Sequence, residues 1–318
     1  MSPKLQYITD QKGEKNNFGI HKSATMSQVL KYWHIDVFTN TQFQGNPAAV
    51  FFDTDTLQTN LMQRIASELN LSETVFLQEP KNKDADYYAR IFTPYNEIPF
   101  AGHPTIAACY AYSKSRKLKK RRFIQECKAG LIPISTAADD GGTVFTMQQK
   151  NPEFFPTSLN AKDCSKMLGL SEAEISDDLI ERVSTGLPWL IFAVNSVRAM
   201  ERIIPNHPLI VQISEEYKVT GITIFTILNK QHTDIRVRTF APKVKIFEDP
   251  TCGSGNGCVG SYIAKYDLLT KTQYISEQGV EIGRNGKVFV KFEKLANGQI
   301  HIFVGGKAIK VVEASLSL

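Results

Sequence analysis

The segment Arg90-Ile-Phe-Thr-Pro94 returns 148 residues later as Arg238-Thr-Phe-Ala-Pro242, so one Arg-x-Phe-x-Pro pattern stands in each half of the 318-residue chain. Shortly beyond each copy come a glycine-containing turn and a helical stretch almost free of charge: Gly102-His-Pro-Thr-Ile-Ala-Ala in the first half, Gly253-Ser-Gly-Asn-Gly-Cys-Val-Gly in the second. The same order of strand, turn and apolar helix at one long spacing marks an internal duplication. A helix without a polar face must be buried all round. Two like domains meeting face to face bring both helix N-termini toward a common cleft. Exposed N–H groups and aligned dipoles there favour an anion, so the cleft is expected to bind a carboxylate.

Hydrophobic periodicity supplies the elements in between. Residues 30–39 mix apolar and polar positions as a strand does, and residues 46–52, after the turn Gln44-Gly-Asn46, read as its hairpin partner. Leu57, Leu61, Met62, Ile65 and Leu69 share one helical face over residues 57–69, with Asp55 or Thr56 as N-cap. Strands at 74–78 and 86–93 precede the buried helix 101–112, and strands at 123–127, 131–136 and 143–148 complete a predominantly antiparallel set. Beyond Asn151-Pro152 come a helix at 161–168, a strand at 189–194, helices at 197–203 and 209–217, and strands at 222–228 and 234–240. The division expected is a flexible leader over 1–25, with Met26 as an alternative start, a first domain over 26–150 and a second over 151–318, whose last strands cross back to the first.

Hydrophobic content of 42% and charged content of 22% are those of an ordinary globular chain. The net charge of +5 rests on two short runs, residues 12–22 and 114–122, and reads as solvated surface rather than a nucleic-acid site. Lys117-Leu-Lys-Lys-Arg-Arg122 continues a helical pattern, which places its cations at a helix C-terminus, where they complement the dipole. The five cysteines are odd in number, lack metal-ligand spacing and stand in a chain with no secretory apolar segment, so free thiols in a reducing, cytoplasmic compartment are expected. No stretch approaches the roughly 18 to 20 apolar residues that span a bilayer. Neither membrane nor nucleic acid is an expected partner. Gly253-Ser-Gly-Asn-Gly257 lacks the βαβ context and the later acidic residue of a dinucleotide fingerprint, and no cluster has zinc spacing, so neither nucleotide cofactor nor metal is expected.

Four residues are candidates for chemistry. Glu73, in Asn70-Leu-Ser-Glu-Thr-Val-Phe76, reads either as a helix-terminal carboxylate in solvent or as one partly desolvated between Leu71 and Val75. In the second case its pKa is raised, and it can take and return a proton near neutrality. His103, in the first turn of the apolar helix, is a cap or packing residue, or part of a ligand site, since its counterparts Cys252-Gly-Ser254 are also polar and glycine-flanked. Asp249, in Phe247-Glu-Asp-Pro250, is a turn-forming Asp-Pro or a holder of a histidine or a substrate amine. Ser254 lacks the strand directly before it that a nucleophile elbow needs, so it reads as an anion-cradling hydroxyl.

Several segments together resemble one known family. They are Ile35-Asp-Val-Phe-Thr39, Gln44-Gly-Asn-Pro-Ala-Ala-Val50, Asn70-Leu-Ser-Glu-Thr-Val-Phe76, Arg90-Ile-Phe-Thr-Pro94, Phe100-Ala-Gly-His-Pro-Thr105, Ser184-Thr-Gly-Leu-Pro-Trp189, Arg238-Thr-Phe-Ala-Pro242 and Glu248-Asp-Pro250. In this order, over residues 35–264, they are similar to the PhzF-like (phenazine biosynthesis-like) isomerases. The resemblance implies an α+β fold like that of diaminopimelate epimerase: two pseudo-symmetric domains, each a curved, mainly antiparallel sheet forming an open barrel around a central buried helix. It further implies a homodimer, no cofactor and a small carboxylate-bearing substrate. Carried over by position, Glu73 is the acid/base, His103 and Asp249 join it as catalytic residues, and Ser254 lines the site. The backbones of Gly102 and Gly253 receive the substrate carboxylate, and Ser72 and Asn46 count as substrate-binding. The reaction implied is a proton shift: Glu73 takes an allylic C–H proton, charge spreads through a double bond toward a carboxylate, and the same acid returns the proton to another carbon.

At one place the chain departs from that family. Where the family has Thr-Gly-Ser followed by alanines, this chain has Cys252-Gly-Ser-Gly-Asn-Gly257, similar to the second catalytic-cysteine motif of diaminopimelate epimerase. A two-thiol epimerase needs a cysteine from each half, and the first half offers Ala101 at the matching place. Cys252 stays a candidate reactive thiol, its pKa lowered beside a helix N-terminus, or a small residue filling a turn. A Cys252-assisted epimerase or racemase of an amino acid-like substrate, and a non-catalytic binding protein that keeps the pocket, are the alternatives to the isomerase.

Overall fold

The repeat in sequence returns as a repeat in strand pairing. In the first half Val29–Val37 pairs antiparallel with Asn46–Phe51, which lies parallel to Glu73–Gln78. That strand pairs antiparallel with Tyr87–Phe92, which lies parallel to Arg122–Cys127, and the antiparallel Gly130–Asp139 and Gly142–Gln148 follow. In the second half the series is the same. Glu181–Ser184 pairs antiparallel with Pro188–Ala193, which lies parallel to Ile222–Ile227; Ile235–Ala241 is antiparallel to that strand and parallel to Gln273–Gln278; Gly286–Lys294 and Ile300–Gly306 close it antiparallel. This computed structural model describes residues 29–176, 179–228 and 233–318, so the leader expected over 1–25 lies outside the described residues.

Parallel neighbours need a crossover, and helices supply it. The six α-helices among the described residues are α1 (Thr59–Leu69), α2 (Gly102–Ser115), α3 (Ala161–Leu168), α4 (Val197–Arg202), α5 (His207–Glu216) and α6 (Gly253–Tyr266). The parallel pairing at Glu73–Gln78 is bridged by α1, and its second-half counterpart by α4 and α5; α2 and α6 bridge the other two. The nearly uncharged helices are the buried ones, as expected. Ile106, Ala107 and Cys109 of α2 share one apolar cluster with Cys258, Val259 and Ile263 of α6, so the main core runs through both halves. Fully burying an Ile side chain stabilises the fold by about 1.5–3 kcal/mol.

The halves also exchange strands. Glu153–Pro156 leaves the first series and pairs with Glu181–Ser184, while Ala308–Ser317 leaves the second and pairs with Val29–Val37. Between them Gly142–Gln148 lies antiparallel to Ile300–Gly306, with Met147 opposite Val304. Each half thus lends a strand to the other, and main-chain hydrogen bonds sew the seam.

The Arg-x-Phe-x-Pro copies have a visible task. Arg90 donates from Nε and Nη2 to the two carboxylate oxygens of Glu97 at 2.8 and 2.8 Å, and Arg238 does the same to Glu248 at 2.8 and 2.8 Å. Such bidentate pairs are directional. Each fixes the short return strand, Glu97–Ile98 or Ile246–Asp249, that leads into α2 or α6.

Two local expectations change. The cationic run 117–122 lies outside the helix: α2 ends at Ser115, Lys117 is left-handed (φ 54°), and Leu118 donates to the Ser113 carbonyl, which ends the helical ladder. The N-cap of α1 is Gln58, with no side-chain cap bond, because Asp55 instead accepts from the Glu79 N–H at 2.8 Å.

Candidate active site

Glu73 opens its strand just after α1 ends in the left-handed Asn70 (φ 49°), a turn that aims the carboxyl inward rather than to solvent. His103 is the second residue of α2, whose N-cap Ala101 has no side chain to satisfy the first N–H groups. The two meet: Glu73 Oε2 and His103 Nε2 lie 3.1 Å apart. Both atoms are buried, and the contact lacks the alignment of a hydrogen bond, so neither has a satisfied partner. Buried polar groups are almost always paired, and exceptions collect where a ligand completes them.

Burial, then the nearby Asp249 carboxylate, pushes the Glu73 carboxyl up to about 8. Burial pulls His103 down to about 3, against a hydrogen bond to the backbone of Pro47. Proline has no N–H, so that bond is donated by the imidazole to the carbonyl. It fixes the tautomer, leaving Nε2 as the lone-pair nitrogen toward Glu73. Near neutrality the pair is a carboxylic acid beside a neutral imidazole rather than an ion pair, because desolvation penalises both charged forms.

Asp249 reaches the same place from the second half. Its Oδ1 accepts from Asn46 Nδ2 at 2.8 Å and from the Thr251 N–H at 3.0 Å, and burial raises its carboxyl to about 6. Asn46 also donates to the Thr251 carbonyl at 3.0 Å, and Ser72 approaches its Oδ1 at 3.5 Å. Glu73, His103, Asp249, Asn46 and Ser72 are therefore one neighbourhood. The histidine-holding role considered for Asp249 is replaced by this hold on Asn46 and Thr251.

The helix ends converge as the duplication requires. A Cβ built on Gly102 would stand 3.9 Å from Gly253 Cα, so the first turns of α2 and α6 nearly touch. Each helix end carries about half a positive charge. Ser254 Oγ accepts from Trp189 Nε1 at 3.1 Å and lies 3.5 Å from Cys252 Sγ. Cys252 caps α6, its sulfur accepting from the Gly255 N–H at 3.3 Å. The expected lowering of its pKa is reversed: burial and the Asp249 carboxylate raise the thiol well above its usual value, outweighing the Ser254 and Gly255 contacts. Cys252 is a capping residue here, with no thiolate near neutrality.

Strand register shows what stands opposite Glu73 in the duplicate. Phe76 faces Arg90 and Ile224 faces Arg238, so Gly221 occupies the place of Glu73. A Cβ there would meet the Phe240 carbonyl oxygen at 2.1 Å. Sequence reasoning missed this, together with Trp189, Gln149 and Gln278. Gln278 is buried, accepts from the Cys252 N–H at 3.1 Å and donates to the Asp249 carbonyl at 2.9 Å. Trp189 stood inside a quoted motif; nothing in its local pattern marked Gln278.

All five cysteines are free and buried. Among the described residues no group of His, Cys, Asp and Glu has the geometry to hold a metal ion, and no helix is long and apolar enough to cross a membrane.

The chain matches the family model described as phenazine biosynthesis-like protein over residues 35–314. It is 36% identical over 282 residues to antisense-enhancing sequence 1 of Schizosaccharomyces pombe, covering 86% of this chain and 94% of that protein. It is 32% identical over 285 residues to trans-2,3-dihydro-3-hydroxyanthranilate isomerase of Pseudomonas aeruginosa, covering 89% of this chain and 98% of that one. Its fold is similar to the crystal structure of a PhzF-family phenazine biosynthesis protein of Bacillus anthracis, with a TM-score of 0.84 at 29% identity over 92% of this chain and 100% of that one. With a duplicated fold, a buried acid at the meeting point of two helix ends and these relatives, the chain is an enzyme of the isomerase class and belongs to the phenazine biosynthesis-like (PhzF) family.

Proposed function

We propose that Glu73 moves a proton between two carbons of a small carboxylate-bearing substrate, with no cofactor, in the cleft where α2 and α6 meet. The observation that carries this reading is the Glu73 carboxyl: buried, raised to about 8, and lacking an aligned partner. A carboxyl with a pKa near the working pH both accepts and returns a proton at low cost. The N–H groups of Gly102 and Gly253 suit a carboxylate, and Ser254 adds a hydroxyl.

In the forward step the Glu73 carboxylate takes an allylic C–H proton, and the bonding pair moves through the adjacent double bond into the substrate carboxylate. The helix-end N–H groups meet the charge that grows there, a preorganised donor of this kind being worth about 3 to 4 kcal/mol. Glu73 then gives a proton, the one it took or one exchanged with solvent while held, to another carbon, and the double bond has shifted. His103 Nε2, held as an acceptor by its bond to Pro47, stands 3.1 Å from Glu73 Oε2, near enough to take up alignment with the carboxyl proton once substrate is bound. Asp249 holds Asn46 at the edge of the site. The Pseudomonas relative is named for a cyclic dihydro-hydroxyanthranilate, a carboxylate of this class.

The test is proton exchange in D2O, followed by NMR on a panel of carboxylates conjugated to a double bond and carrying an allylic C–H, trans-2,3-dihydro-3-hydroxyanthranilate among them. The native enzyme incorporates deuterium, and Glu73→Gln folds but loses the activity by about 10³-fold. Undiminished exchange in E73Q would remove Glu73 from the mechanism. Because the base must be ionised, kcat/KM rises with pH up to about 8.

A further inference from the structure

The segment Ser184-Thr-Gly-Leu-Pro-Trp189 takes no part in the proton shift, yet both its ends grip the start of α6. Thr185 donates to Gln149 Oε1 at 2.5 Å, and Gln149 Nε2 donates to the Gly253 carbonyl at 3.0 Å. Trp189, only 3% exposed, donates from Nε1 to Ser254 Oγ. One contact holds the backbone of the first helical residue, and the other holds the side chain of the second.

The Trp189 contact has a chemical consequence. An indole N–H donates and accepts nothing, whereas a serine hydroxyl has one hydrogen and two lone pairs. With Trp189 on one lone pair, the Ser254 hydrogen must turn elsewhere. Its recorded neighbour is Cys252 Sγ at 3.5 Å, a weak acceptor that already receives the Gly255 N–H. A ligand oxygen at the end of α6 is a stronger acceptor than that sulfur and can take the hydrogen from it. We infer that Trp189 is a positioning residue: by occupying one of the two Ser254 lone pairs it fixes the oxygen and turns its hydrogen toward the cleft, so that Ser254 serves a carboxylate, whose two oxygens both accept, better than the matching carboxamide, which has one acceptor oxygen and a donor N–H₂ group. The device is one-sided, since the register that aligns Leu190 with Ile222 and Ala49 with Thr74 puts Ala48 at the place of Trp189.

This inference rests on the carboxylate cleft proposed above, and its test separates the two. Anthranilate and 2-aminobenzamide are titrated calorimetrically into the native protein, W189F, S254A and the double variant; phenylalanine keeps an aromatic ring in the site and removes the N–H. The native protein binds anthranilate more tightly than the amide. W189F loses about tenfold in anthranilate affinity, with amide affinity within about twofold, and adds nothing further in the S254A background. In the ligand-free protein the Trp189 indole ¹H–¹⁵N resonance, assigned by its loss in W189F, shifts in S254A. Equal loss of both ligands in W189F, additive effects in the double variant, or an unmoved indole resonance overturns the inference and leaves the cleft reading standing. No anthranilate binding by the native protein overturns both.

Discussion

The two halves share a strand order, a crossover plan and an Arg–Glu clamp, and they differ where the chemistry is. At the place where the first half has Glu73 the second has Gly221; the second residue of the buried helix is His103 in one and Ser254 in the other; the N-cap is Ala101 in one and Cys252 in the other. Duplication accounts for the cleft, because two like helices meeting at their N-termini concentrate positive potential without any charged side chain. Divergence accounts for the roles. In the proposed mechanism the first half supplies the proton-holding pair Glu73 and His103, while the second supplies Asp249, Ser254 and the Trp189 that donates to it. A mirrored two-base arrangement is closed to this chain, since Gly221 has no side chain and no room for one.

The strongest way to break the symmetry is to fill that gap. Gly221→Ala would drive a Cβ into the Phe240 carbonyl at 2.1 Å and to 2.8 Å from Ala241 Cα, prising apart paired strands in the core of the second half. A loss of about 4 kcal/mol or outright failure to fold is expected, read by urea unfolding. An alanine variant of native stability would show that the register is misassigned. The clamps give a graded comparison. Arg238→Ala leaves the Glu248 carboxylate largely buried without its bidentate partner and is expected to lose about 3 kcal/mol. Arg90→Ala is expected to lose about 1 kcal/mol, because Lys128 still reaches Glu97 at 2.7 Å. Equal losses in the two variants would mean that the lysine contributes nothing.

The architecture was legible to the extent that local patterns repeat. Two uncharged helices and two Arg-x-Phe-x-Pro segments revealed the duplication because burial all round leaves a compositional trace that survives divergence. The strand exchange was legible only as a crossing-back of the last strands: nothing local in Ala308–Ser317 names Val29–Val37 as its partner, and that pairing is a matter of topology. Within the site, Glu73 and His103 could be singled out, but their 3.1 Å approach joins a strand to a helix across 30 residues. Of the two readings left open for Cys252, the lowered thiol pKa does not follow from the helix end alone. A helix N-terminus lowers a thiol pKa when water also reaches the sulfur, and here the residue is 5% exposed beside a carboxylate. Gln278 and Gly221 carried no signal, because a buried amide and a clash-limited glycine are defined by what surrounds them.

Glu73 against Gly221 also predicts a difference in stability. The folded Glu73 holds its proton up to about 8, while its unperturbed value is 4.5. Below 4.5 both folded and unfolded chains are protonated and the residue costs nothing; as pH rises toward 8 the unfolded chain releases the proton first, and stability falls. E73Q has no such proton to lose. Burying an amide that also needs partners costs the same at every pH, so the linkage is read from the change: from pH 4 to pH 8 E73Q should gain on the native protein by several kcal/mol, about 1.4 kcal/mol for each unit by which the Glu73 carboxyl is raised. Unfolding curves at the two pH values check this, and a constant difference would place the Glu73 pKa near its ordinary value.

The smallest effect expected is at Cys252. Serine keeps a side-chain acceptor for the Gly255 N–H and is itself a favoured N-cap, so Cys252→Ser should change stability by less than about 0.5 kcal/mol. If the thiol only caps α6, deuterium exchange in this variant stays within about threefold of native, and the pH profile still follows Glu73. A loss approaching that of E73Q, with the rising limb of the profile displaced, would instead make the second half a partner in moving the proton. The division of labour between the halves would then have to be redrawn around the sulfur.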